Sequence, residues 1–197
     1  MKSFLLGLLL GVVILPVVTL LYFVIGHPSV AVADAPLPLE AQIVQIPMEA
    51  RVNREAPKAA PIEASASNLE IGAHVYREQC ATCHGLYGRP SPFGGEMYPQ
   101  APQLWEPHRN GTVGVSDDPP GETYWKVAHG IRLTGMPAYG KVLNDTQIWQ
   151  VSLLLANANK PQAPGVLQLL KQPLILEPEG QPVEGTKTPV PATAPTK

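Results

Sequence analysis

Cysteine is nearly missing from this chain: of 197 residues, only Cys80 and Cys83 carry thiols. That excludes a disulfide framework of the small secreted kind. A structural zinc site would also need a second pair of Cys/His ligands. Net charge is equally scarce, with 14 Lys+Arg against 16 Asp+Glu giving −2. No basic stripe marks a nucleic-acid binder, and no strong field would steer a partner, so nucleic acid is not expected among its partners. Room for a core is limited as well. Proline takes 23 positions, densest in two stretches on either side of the middle, and prolines of that density rarely build regular packed structure.

Between Phe4 and Ile25 charge is absent altogether, over 22 residues. As a helix this run spans about 33 Å, enough to cross a bilayer. Pro16 is tolerable there, because membrane helices carry proline more often than soluble ones. Lys2 is the lone flanking charge, which keeps the N-terminus cytoplasmic and exports the rest. A cleaved signal peptide is the competing reading, since Ala31-Val32-Ala33 has the small-x-small form of a cleavage site. The apolar run exceeds the ~7–15 residues of a signal core, which favours a retained anchor.

The chain then divides into four parts: an anchor over 1–25, a Pro/Ala-rich linker over 26–68, one small domain over 69–160, and a Pro-rich, mostly disordered tail over 161–197. The linker holds no persistent helical or strand period and reads as a tether. The tail has helical character only around Val166 to Leu170.

The middle is organised around Cys80-Ala81-Thr82-Cys83-His84. Two thiols three residues apart with an imidazole directly after them have the spacing of a c-type haem attachment site. Each thiol can add to one vinyl group, and the histidine can reach the iron. A redox-active thiol pair is the competing reading of Cys-x-x-Cys, and it leaves His84 unexplained. Ser67-x-x-Glu70 predicts a helix start by its capping-box form, and Asn144 with Gln147 predicts another. Leu143 and Ile148 are spaced as the hydrophobic staple of that second helix. Asp117-Asp118-Pro119-Pro120 predicts a third, ended by Gly130.

Gly72, Tyr76, the haem motif and Thr134-Gly135-Met136-Pro137, in this order and spacing, resemble the class I cytochromes c. The resemblance covers about 69–160. It implies an all-α cytochrome c fold around one covalently attached haem, here preceded by an N-terminal transmembrane helix. It further implies that Cys80 and Cys83 carry the haem and that His84 and Met136 are its axial ligands. The resemblance makes a carbonyl of Pro99 or Pro102 the partner of the unligated His84 nitrogen, and Leu104 a haem wall. Trp125 would pack at the haem edge or bond a propionate, and Arg132 would pair with one. Gly72, Tyr76 and Trp149 would pack the first helix on the last. Met97, His108 and His129 are rival ligands of lesser standing.

The function this implies is one-electron transfer by a carrier tethered on the periplasmic side of a bacterial inner membrane. It would take electrons from one redox protein in the respiratory chain and pass them to another. Two alternatives are a haem c subunit of a larger respiratory or dehydrogenase complex and, further off, a haem enzyme or gas sensor with an open iron.

Overall fold

The computed structural model describes residues 2–108 and 111–174, and among these every regular element is helical. Extended backbone pairs only at two isolated bridges, Leu86 with Arg89 and Pro107 with Val113. Helix α1 (Lys2–Ile25) stands alone, with none of its Gly7–Ile25 apolar stretch buried. It is long and apolar enough to cross a membrane.

Helix α2 (Glu40–Glu55) corrects the expectation that 26–68 is an unstructured tether. Pro47 lies inside it, and its apolar residues fall on two opposite sides, so no single stripe collects them. Ile43 and Ile46 point one way into solvent, while Val52, 2% exposed, packs toward the domain.

The core is the crossing of α3 (Ala66–Gln79) and α7 (Asp145–Ala156). Ser65, not Ser67, caps α3: its extended backbone lets Oγ accept from the Asn68 N–H at 3.3 Å, and Glu70 takes no part. The expected box at α7 is present. Asn144 Oδ1 accepts from Gln147 N at 2.9 Å, and Gln147 Oε1 accepts from Asn144 N at 3.0 Å. Each bond satisfies an otherwise orphaned donor. Every residue from Ile148 to Leu155 is buried. A β-carbon on Gly72 would lie 2.4 Å from the Gln150 carbonyl oxygen, so glycine is what lets the two helices touch backbone to backbone.

Two one-turn helices follow α3, namely α4 (Ala81–His84) and α5 (Pro92–Gly95). Helix α6 (Pro120–His129) begins one residue later than the acidic pair suggested, with Pro119 at its cap. The Asp118 carboxylate is held instead by Lys126 Nζ at 3.4 Å, which also meets Glu122 at 2.7 Å. Gly130, at φ 66°, ends α6 as expected.

The packed unit continues past residue 160. Helix α8 (Pro164–Lys171) buries Val166 and Leu170 against α3. The Arg77 guanidinium donates to the carbonyls of Leu169 (2.6 Å), Gln172 (2.5 Å) and Pro173 (3.2 Å). A cation at those orphaned C-terminal carbonyls is favourable on both hydrogen-bond and dipole grounds. The expected disorder of the tail falls mostly on 175–197, outside the described residues.

Candidate functional site

Every carbonyl of the Cys80–His84 segment has a partner, which holds the five residues in one conformation. Cys80 O accepts from the amides of Cys83 (3.1 Å) and His84 (2.9 Å), and Ala81 O from that of Gly85 (2.9 Å). Ser91 Oγ donates to Thr82 O at 2.5 Å, and Gln103 Nε2 to Cys83 O at 3.3 Å. His84 O accepts from Leu104 N (3.1 Å) and from the Tyr76 hydroxyl (3.1 Å), which also donates to Gly85 O (2.6 Å). Gly94 sits so close that a β-carbon would lie 1.9 Å from Cys83 O.

Both thiols are unpaired and half-buried. Burial, with Cys83 adding to it, pushes the Cys80 thiol up to about 12, so it stays protonated at neutral pH. His84 Nδ1 lies 2.8 Å from Pro102 O. A carbonyl oxygen only accepts, so Nδ1 carries the proton and Nε2 is left with a free lone pair. Burial lowers the imidazole below its ordinary range, with the Pro102 bond working against it, which favours the neutral ring.

Met136 is half-buried and packs against the core. Its loop is closed on itself: Thr134 Oγ1 donates to Ile131 O (2.7 Å) and accepts from Met136 N (3.1 Å). One contact ties this loop to the cysteine segment, and another sets it against Met97, just past α5. Tyr139 Oη donates to the carbonyl of Gln79, the residue before Cys80, at 2.6 Å. Gly135 lies against the Met97 methyl, which a β-carbon would approach to 2.0 Å.

The other expected residues are placed as follows. Pro102, and not Pro99, meets His84. Leu104 is buried behind the motif at 6% exposure. Trp125 is buried, but its indole N–H donates to Glu55 Oε2 at 3.0 Å, and Arg51 lies over its ring at 5.7 Å. That engages the donor expected to face a propionate. Arg132 is exposed in the turn before Thr134. Tyr76 packs edge-on to Trp105 at 5.8 Å. Trp149 is buried, yet its ring stacks on Tyr124 of α6 at 4.3 Å, while α7 meets Gly72 through Gln150 and Val151.

Of the rival ligands, His108 Nε2 is held by Gly114 O (2.8 Å) and His129 Nδ1 by Trp125 O (3.0 Å). Ser91, Gly94, Gln103 and Tyr139 were missed by sequence reasoning. They lie in loops or single short turns, 9 or more residues from their partners, and no local pattern marks such a pairing.

Two unpaired thiols on one turn, followed by a neutral imidazole with one nitrogen fixed, form a donor set that fits haem c. Among the described residues no cluster of three or more His, Cys, Asp or Glu side chains is placed to hold a bare metal ion. A family model described as cytochrome c oxidase, cbb3-type, subunit III matches residues 67–153. No curated protein and no solved structure gave a significant match. Residues 67–153 of this chain are therefore a c-type cytochrome domain, and its cofactor is one covalently bound haem c.

Proposed function

We propose that the protein is a one-electron carrier in which Cys80 and Cys83 hold the haem as thioethers while His84 and Met136 fill both axial positions. The observation that carries this reading is the 2.8 Å contact of His84 Nδ1 with Pro102 O, which leaves Nε2 as the one nitrogen free to coordinate. The bound haem supplies the one-electron change between ferric and ferrous iron. Pro102 orients the imidazole and raises its basicity as a ligand. Pro137 restricts Met136 to extended backbone, and Tyr139 ties that segment to Gln79 beside the cysteines. A thioether opposite an imidazole favours the reduced state relative to two imidazoles. Held by both residues, the iron would offer no open position to oxygen or peroxide.

The α1 helix is read as a retained anchor, with Lys2 on the cytoplasmic side and the haem domain exported to the periplasm. A second reading is a relay subunit of a larger oxidase complex. The matched family is described as a subunit of cbb3-type cytochrome c oxidase, and the ordering of α2 against α6 suits a fixed dock.

Optical spectra with added carbon monoxide test the ligand set. The ferric protein should show the weak long-wavelength sulfur-to-iron charge-transfer band, and the ferrous protein should exclude carbon monoxide. Met136→Ala should lose the band and admit the gas. A wild-type protein that lacks the band and binds carbon monoxide would point instead to a haem enzyme or gas sensor. Extraction of the full-length protein in mild detergent separates carrier from subunit: a carrier migrates alone, while a subunit migrates with its partner proteins.

A further inference from the structure

Helix α2 is held to the domain along one face only. Val52 is 2% exposed, Met48 one turn earlier is half-buried, and Glu55 accepts the Trp125 indole N–H at 3.0 Å. Just past the helix, the Pro57 carbonyl rests on Gly121, where a β-carbon would come within 1.8 Å. Burial, and then the Glu40 carboxylate at the start of the helix, push the Tyr98 phenol up. The contacts of Val52, Glu55 and Pro57 fix the C-terminal half of the helix against the domain.

Its opposite face is apolar and bare. Ile43, Ile46 and Ala50 recur at spacings of three and four, which puts them on one side of the helix. Leu39 precedes them by one turn. Leu39 is 65% exposed, Ile43 62% and Ile46 68%. No charge falls within this row, and Glu49 and Arg54 flank it. Aliphatic side chains exposed in a row, on the side opposite the packed Met48 and Val52, call for an occupant.

The chain itself indicates which. Helix α1 ends at Ile25 and α2 begins at Glu40, with 14 residues between them. A flexible segment of that length has an r.m.s. span of about 20 Å. Where α1 spans the membrane, the bare face of α2 is therefore confined close to the same bilayer surface. An apolar row flanked by charges suits burial of ~5–10 Å into the boundary between headgroups and acyl chains.

We propose that α2 lies in the plane of the outer membrane interface, with Leu39, Ile43 and Ile46 in lipid, and so presents the haem domain in one orientation. This rests on the reading of α1 as a retained anchor. The row carries no excess of positive charge, so the attraction is apolar and does not depend on anionic lipid.

Cys80 and Cys83 are consumed by the haem, so an introduced cysteine is the only free thiol in the holoprotein. Full-length Ile43→Cys and Ile46→Cys carry a nitroxide label in vesicles of phosphatidylcholine and phosphatidylglycerol. His74→Cys, at an exposed position of α3, is the control. Unchanged visible spectra establish that each variant is folded. The labels at 43 and 46 should collide with oxygen several-fold more, and with a water-soluble nickel chelate several-fold less, than the label at 74. Chelate access at 43 and 46 equal to that at 74, in protein that still floats with the vesicles, overturns the proposal and leaves the anchor standing. Shielding from oxygen and chelate alike also overturns it, because a protein surface then covers α2. Protein that does not float with the vesicles removes the anchor reading and the proposal with it.

Discussion

A methyl group at residue 72 has nowhere to go. The atoms it would meet are the Gln150 carbonyl oxygen at 2.4 Å and the Val151 amide nitrogen at 3.2 Å, both backbone on α7. Neither can swing aside as a side chain would, so α3 and α7 must separate. Gly72→Ala should cost about 1–3 kcal/mol, read as a lowered denaturation midpoint of the holoprotein. Tyr124 gives a second residue-scale expectation. Its hydroxyl donates to Asp145 Oδ1 at the start of α7, and that bond, with burial, raises the phenol to about 12. An unfolded tyrosine ionises near ~10. The folded value is the higher one, so the contribution is complete below that pH and is lost as pH climbs from ~10 toward about 12. Denaturant titrations at pH ~9 and ~11 should show wild type losing more stability than Tyr124→Phe over this interval.

At the scale of the element, α8 behaves as part of the domain. Its Leu170 is fully buried, its carbonyls are gathered by Arg77, and Leu170 O accepts from Tyr87 N at 3.2 Å. Leu170→Ala should cost about 2–5 kcal/mol and lower the melting temperature. The visible spectrum should stay unchanged, because no cysteine, histidine or methionine of the haem site lies on α8. A melting curve that overlays the wild type would show that α8 is dispensable to the fold.

Across the whole molecule, what was readable in the sequence was whatever is local. The Cys-x-x-Cys-His spacing, the Asn144–Gln147 box and Gly130 as a helix stop each declare themselves within a few residues. Structure made by distant partners was not readable. Tyr139 meets Gln79 across 60 positions, Trp125 meets Glu55 across 70, and Arg77 meets Leu169 across 92. Each of these choices depends on a fold that must already exist. Helix α2 hid for a related reason: its apolar residues fall on two opposite sides, and only one of them meets the domain. Its docking has a consequence for encounter with redox partners. The stretch read as a tether, 26–68, has 43 residues, but only the 14 before α2 separate α1 from the docked α2. Effective concentration falls as roughly the −3/2 power of linker length, so this shortening raises it about fivefold for anything within range. The same shortening withdraws more distant partners from reach, so electrons should pass to neighbours held beside the anchor.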